Sequence, residues 1–128
     1  MNEEQTIEAN KTIAEFMGAT ACKLQVKPIG VVDAYECEEW KLPIDEIEYH
    51  SSWDWLMPVV EQIEKLHDGI FSFFIVQSEC DIAFSKSYKE NGDDWDAPNF
   101  AQKKGDKLIS TWSAVIEFIK WYKNQSVL

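Results

Sequence analysis

The sequence predicts an α/β (α+β) fold in which a small antiparallel or mixed sheet is sandwiched between helices, in the order α-β-β-α-β-β-α. Three segments carry apolar residues at helical spacing, and two pairs of short segments between them carry strand patterns. The chain has 128 residues, of which 45% are hydrophobic. This length and composition are typical of a domain with one hydrophobic core. We therefore predict a single globular domain that spans residues 1–128.

The first helix is predicted over Asn2 to Met17. Its apolar residues, among them Ile7 and Ile13, recur close to helical spacing, so one side of the helix should face the core. Gly18 follows at the position where a left-handed residue commonly ends a helix. The segment is therefore an amphipathic helix that ends at Gly18.

Two strands should follow this helix. Cys22 to Lys27 alternates with a period of two, which places Leu24 and Val26 on one face. Pro28 to Gly30 has turn composition, and Ile29 to Tyr35 is predicted to return as a second strand.

The segment from Asp33 to Glu48 is strongly acidic. It holds seven acidic residues and a single lysine, Lys41. We predict a solvent-exposed connection that Trp40, Leu42 and Ile44 attach to the core by packing.

The second helix is predicted from a Ser51 or Ser52 cap to about His67, where Asp68-Gly69 should stop it. Ser51-x-x-Asp54 approximates a capping box. Pro58 lies beyond the first turn and removes the hydrogen bond to the carbonyl of Asp54, so a bend or a 3₁₀ start is expected.

The clearest strand pattern comes next. Ile70 to Gln77 and Cys80 to Ser85 should form an antiparallel hairpin around a turn at Ser78-Glu79. Because Ile70 to Val76 is almost continuously apolar, we predict a central strand that is covered on both faces.

A polar, turn-rich loop is predicted from Tyr88 to Lys107, anchored by Trp95 and Phe100. The last helix should then begin at a Ser110 cap. It is expected to bury a wide apolar stripe made of Trp112, Val115, Ile116, Phe118, Ile119, Trp121 and Tyr122.

Composition excludes several classes of partner. The formal net charge is −11 at pH 7, so we predict no direct binding to nucleic acid or to anionic membranes, which both need a basic surface. The longest apolar run falls far short of the ~20 residues that span a bilayer, and no secretory leader is expected at this N-terminus. Three cysteines without a Cys-x-x-Cys pair predict neither a disulfide framework nor a zinc motif and fit a reducing cytoplasm.

The sequence contains no recognisable catalytic pattern, and we predict no catalytic residue, cofactor or metal. His50 and His67 are 17 positions apart and cannot form a helical His-x-x-x-His pair. A metal site assembled in space from these histidines and a cysteine stays an alternative. Cys80 should pack as a small hydrophobic residue rather than act as a nucleophile. The acidic residues around Asp93 lack the glycine and glutamate spacing of a calcium loop.

Aromatic and acidic side chains are the candidates for contact with a partner. Interfaces favour tryptophan and tyrosine, and Trp55, Trp95 and Trp121 are the tryptophans that we expect to be accessible. Trp53 and Trp112 should instead pack in the core. Glu36, Glu38 and Glu39 are the acidic residues that could imitate the phosphates of a nucleic acid.

Three segments together resemble the phage ABA-sandwich family, small proteins of phages and prophages. They are Asn10 to Gly18, with Ile13-Ala14-Glu15-x-Met17-Gly18; Ser51 to Glu64, with Trp53 followed by Val59-Val60-Glu61; and Ser110 to Tyr122. The resemblance implies a sheet between two helical layers. It implies no activity and no functional residue.

Together these observations predict a noncatalytic accessory protein of phage or prophage type that acts in the cytoplasm through protein contacts, with homo-oligomers left open. One alternative is a small-molecule binder or enzyme with a pocket between the sheet and the helix of Trp55. Another is an acidic mimic of nucleic acid that inhibits a DNA-processing enzyme.

Overall fold

The computed structural model describes residues 2–66, 71–76, 78–84, 100–102 and 106–124, without the side chains of Val76 and Phe84. These residues form three α-helices and two antiparallel sheets. In chain order the elements are α1 (Glu3–Phe16), β1 (Thr20–Val26), β2 (Gly30–Glu36), β3 (Lys41–Pro43), a 3₁₀ turn (Ile44–Glu46), α2 (Trp53–Lys65), β4 (Phe71–Val76), β5 (Glu79–Phe84) and α3 (Lys107–Lys123). The predicted mixed α/β class is confirmed, with β3 as an additional strand.

The chain divides into two compact units, Met1–Tyr49 and His50–Leu128. The first unit contains the three-stranded sheet β1-β2-β3, and the second contains the two-stranded sheet β4-β5. Each sheet is therefore built from strands that are close neighbours in sequence.

Helix α1 has well-defined ends. Asn2 and Gln5 form a capping box, in which each side chain accepts a hydrogen bond from the backbone of the other residue. At the other end, Gly18 has a φ of +90°, and the amides of Gly18 and Ala19 donate to the carbonyls of Glu15 and Ala14. The predicted helix and its end at Gly18 are confirmed.

The hairpin of β1 and β2 is also confirmed. Leu24 lies opposite Val32, and Lys23 lies opposite Asp33. Gly30 begins β2 with a φ of +105°, a conformation that favours glycine. The predicted alternation holds along β1, where Leu24 and its neighbours on one face are half-buried.

The acidic segment is more structured than a solvent-exposed connection, and that prediction is wrong. The Cys37 amide donates to the Trp40 carbonyl at 2.9 Å, so Glu38 and Glu39 form a tight turn between β2 and β3. Beyond β3, Ile47 and Tyr49 are buried. The acidic residues of this segment are compatible with the turn and with β3 because their carboxylates lie at the turn or at exposed positions. The predicted packing residues Trp40, Leu42 and Ile44 are half-buried.

Helix α2 begins after Ser52, but its cap uses no side chain. The Ser52 carbonyl accepts from the amides of Trp55 and Leu56. Because Ser52 is the cap and no side chain bonds to the cap amides, the predicted Ser51-Asp54 capping box does not form. Pro58 is exposed inside the helix. The helix buries Leu56, Val59, Val60 and Ile63, a stripe at helical spacing. It ends at Lys65, and the predicted stop at His67 to Gly69 lies outside the described residues.

Strands β4 and β5 form the predicted antiparallel hairpin, with Phe73 opposite Ile82. The prediction that β4 is a central strand covered on both faces is wrong. Among the described residues β4 pairs only with β5, and Phe74 is 58% exposed. Because side chains alternate along a strand, Phe71 faces inward while Phe74 faces outward.

Helix α3 begins earlier than predicted. A carboxylate oxygen of Asp106 accepts from the Ile109 amide at 2.8 Å, which makes Asp106 the cap and places Lys107 in the helix rather than in the loop. Ser110, the predicted cap, is buried within the helix, and its hydroxyl donates to the Ser78 carbonyl at 2.6 Å. Phe100 is buried, as predicted, whereas most of the predicted loop lies outside the described residues.

Candidate protein-binding surfaces

The hairpin of β1 and β2 ends in two exposed apolar side chains. Ile29 is 75% exposed and Val31 is 64% exposed, the highest values among the large apolar residues that the structure describes. Val31 lies opposite Gln25 on the more polar face of the hairpin. We call Ile29 and Val31 the β1–β2 tip. Two exposed apolar side chains so close in sequence make the tip a candidate interaction site.

The strands behind the tip are held together on the same face by an ion pair. Lys23 and Asp33 lie opposite each other, and the Lys23 ammonium donates to the Asp33 carboxylate. This hydrogen bond, together with the positive charge of Lys23, lowers the pKa of Asp33. The pair is exposed, so it contributes to register more than to stability.

The base of the same hairpin is anchored to α1. Tyr35 is buried, and its hydroxyl donates to the Glu15 carboxylate at 2.7 Å. Burial raises the pKa of Tyr35 to about 12, and the hydrogen bond to Glu15 adds to this effect. The phenol therefore stays protonated at neutral pH and can donate this hydrogen bond. The bond attaches the base of the hairpin to α1, and the tip lies at the other end of the hairpin.

An acidic turn lies at the end of β2 that is opposite the tip. Glu36 ends β2 and Glu38 and Glu39 form the turn that follows, so the three predicted acidic residues lie close together and are all exposed. Lys41 lies directly opposite Glu36 and offsets part of this charge. We call these three residues the acidic turn.

In the second unit, the outer face of the β4–β5 hairpin carries Phe74. Phe74 lies opposite Asp81, and Ser72 on the same face is exposed. One carboxylate oxygen of Asp81 is shielded from solvent and has no hydrogen-bond partner among the described residues. The inner face instead packs against α3, through the contact of Phe71 with Phe118.

Two of the three predicted interface tryptophans, Trp55 and Trp121, are less accessible than Phe74. Trp121 lies on α3 and is half-buried in an aromatic cluster, with ring centroids 6.1 Å from Phe71 and 5.7 Å from Phe100. Trp55 lies on α2 and is half-buried, and Trp95 lies outside the described residues. Their role in binding stays a prediction.

The two expected core tryptophans differ. Trp112 is buried, as predicted, and its ring centroid lies 6.0 Å from that of His50. Trp53 is half-buried.

Sequence reasoning missed Ile29, Val31 and Phe74 as surface residues. The sequence did contain a signal at Val31-Val32. Adjacent side chains of a strand point to opposite faces, so in a half-buried strand one of the two valines must face outward. Ile29 offered no comparable signal, since it lies in the turn before β2.

The environment of Cys80 favours packing rather than nucleophilic chemistry. Its side chain is fully buried in β5, and burial raises the pKa of the Cys80 thiol to about 11. The Asp81 carboxylate adds to this shift, while a hydrogen bond with Thr111 opposes it. The predicted role of Cys80 as a small packed residue is confirmed. Cys22 and Cys37 are half-buried free thiols.

We expect Cys80 to resist alkylation in the folded protein. At pH 8 a thiol with a pKa of about 11 stays protonated, and the thiolate is the reactive form. Iodoacetamide labelling followed by peptide mass spectrometry should therefore modify Cys22 and Cys37 first and modify Cys80 only after denaturation. Labelling of native Cys80 as fast as that of Cys22 would contradict this assignment.

The described part of the chain contains no group of three or more histidine, cysteine, aspartate or glutamate side chains arranged to hold a metal ion. His67, one member of the alternative metal site, lies outside that part. None of the described helices is long and apolar enough to cross a membrane.

Comparison with known proteins identifies no relative: no family model, curated protein or solved structure matches this chain.

Proposed function

We propose that this chain is a noncatalytic accessory protein that acts by binding another protein through the β1–β2 tip. The observation that carries the proposal is the exposure of Ile29 and Val31 at the end of an anchored hairpin. The phage or prophage setting rests on the sequence resemblance of Asn10 to Gly18 and the two later helical segments. We include a cytoplasmic location in this proposal, which the three free cysteines support.

The energetics favour an apolar contact at the tip. Fully burying an exposed isoleucine or valine contributes about 1.5–3 kcal/mol. A partner pocket that covers both side chains would therefore gain free energy from each of them, which offsets part of the cost of association. Tyr35 holds the base of the hairpin, and a hairpin held at its base loses less conformational entropy on binding than an unattached one.

The acidic turn supports a second candidate function, mimicry of a nucleic acid. Glu36, Glu38 and Glu39 present three exposed carboxylates on a chain with a net charge of −11. A basic protein that normally binds phosphates would recognise such a surface, and its affinity would fall steeply with salt.

Retention of a partner from a bacterial host lysate distinguishes the two candidates. The tip variant is Ile29→Lys/Val31→Lys, and the matched control is Thr20→Lys/Ala21→Lys, which adds the same charge at exposed positions on the base of β1. We expect the wild type and the control to retain the same protein at low and high salt, and the tip variant to lose at least about tenfold in affinity, which corresponds to ~1.4 kcal/mol.

If the tip variant retains the partner protein as well as the wild type does, the proposal is overturned. If the bound protein is instead lost at high salt and with Glu36→Gln/Glu38→Gln/Glu39→Gln, the acidic turn is the binding site and the mimic is the correct function.

A further inference from the structure

Among the described residues, the backbone of β4 has no hydrogen-bond partner at Phe73 and Ile75 on the side away from β5. The Cys80 amide and carbonyl bond to Gln102 at 2.9 and 2.8 Å, so these groups point away from β4. Cys80 and Ile75 are therefore a non-hydrogen-bonded pair, and such pairs alternate with hydrogen-bonded pairs along an antiparallel ladder. It follows that the backbone groups of Phe74 form hydrogen bonds with those of Asp81. The backbone amides and carbonyls of Phe73 and Ile75 point instead to the side away from β5.

Nothing among the described residues occupies this edge at Phe73 and Ile75. Edge strands are normally protected from pairing by charged side chains, proline or a bulge. The sequence of β4, Phe71-Ser72-Phe73-Phe74-Ile75-Val76, contains no charge and no proline, and its pairing with β5 is continuous. The edge is therefore suited to receive another strand.

We infer that β4 pairs with β4 of a second copy of this chain, antiparallel and about a two-fold axis at Phe74. Phe73 then faces the second copy's Ile75, and Ile75 faces the second copy's Phe73. Each of these pairs exchanges two backbone hydrogen bonds, because both residues point their polar groups to the open edge. The result is a continuous four-stranded sheet in the order β5-β4-β4-β5.

The exposed side chains identify the occupant as a second copy. In this register Phe74 lies directly opposite the second copy's Phe74, in a non-hydrogen-bonded pair, where the side chains approach most closely. Phe74 is 58% exposed in one chain, and part of this surface is thereby covered by an aromatic partner. A two-fold axis makes this contact self-complementary without any foreign side chain.

Net charge opposes the association of two copies, but the pairing strand itself carries no charge. Each copy has a net charge of −11, so most of its surface repels a second copy. The uncharged β4 strand is a place where two copies can approach without opposed carboxylates on the pairing strand. Because salt screens the remaining repulsion, the dimer should strengthen as ionic strength rises.

Sedimentation velocity of the wild-type chain and of two Phe74 variants tests the inference. The wild type is expected to be a concentration-dependent dimer whose dissociation constant falls with added salt. Phe74→Lys and Phe74→Glu each place like charges directly opposite one another, so each variant alone should be monomeric. An equimolar mixture of the two should recover a dimer, because lysine then faces glutamate.

Met57→Lys is the matched control, since Met57 is an exposed apolar residue on α2 in the same unit. It should leave the dimer unchanged, and circular dichroism should show all variants folded. A monomeric wild type would overturn the inference, as would a dimer that persists in Phe74→Lys or a mixture that stays monomeric. The tip variant Ile29→Lys/Val31→Lys should still dimerise, so failure here and failure of the proposed function are separate results.

Discussion

Replacing Phe118 by alanine is expected to lower the free energy of unfolding by about 3–5 kcal/mol. Phe118 is 0% exposed, and its ring meets Phe71 edge-on at 4.7 Å and Phe100 at 5.5 Å between centroids. Alanine would remove these aromatic contacts and leave a cavity between α3 and the inner face of the hairpin, which the surrounding side chains can fill only in part.

Urea denaturation followed by tryptophan fluorescence measures this change. Phe74→Ala is the matched control, because it makes the same substitution on the outer face of the same hairpin, where the side chain is 58% exposed. At a concentration where the chain is monomeric, it should cost less than about 1 kcal/mol. Equal losses for Phe118→Ala and Phe74→Ala would contradict the assignment of inner and outer faces.

Replacing Asn10 by alanine is expected to lower the free energy of unfolding by about 1–3 kcal/mol. Asn10 is 1% exposed on α1, and its side-chain amide donates to the Ile47 carbonyl at 2.9 Å. Alanine removes this donor while Ile47 stays buried, so the carbonyl loses its partner without gaining water. The bond ties the first helix to the segment after the acidic turn, across 37 positions of the chain.

The same denaturation experiment tests Asn10, with Glu8→Ala as its control. Glu8 lies on the same helix, but its side chain is 67% exposed and its ion pair with Lys11 is a surface contact. That control should change stability by less than about 0.5 kcal/mol. If Asn10→Ala were as mild as Glu8→Ala, the hydrogen bond to Ile47 would not contribute to the fold.

The candidate binding surfaces were only partly predictable. Glu36, Glu38 and Glu39 lie close together in sequence, so any tight turn would bring them together, and their exposure follows from their charge. For Val31 the sequence indicated only that either Val31 or Val32 faces outward, and Ile29, in the turn before β2, gave no signal. An apolar residue in a strand is expected to be buried, and its exposure depends on which part of the hairpin the rest of the fold covers.

Local patterns in the sequence determined the elements whose causes are themselves local. Asn2 and Gln5 cap α1 and Gly18 ends it through bonds within a few residues, and Leu24 and Val26 share a face because of the strand period. The hairpin of β4 and β5 likewise follows from two adjacent strand patterns. These features need no information from distant residues.

Tertiary structure decided what depends on distant partners. A continuous apolar run such as Phe71 to Val76 is compatible with either a central or an edge strand, and only the absence of a further strand among the described residues places it at an edge with Phe74 exposed. Asp106 caps α3, while Ser110 lies inside the helix and donates to the Ser78 carbonyl. The buried Asn10 donates its side-chain amide to the Ile47 carbonyl. Burial and hydrogen bonding of this kind are properties of pairs of residues far apart in the chain, and the periodicity of one segment carries no information about them.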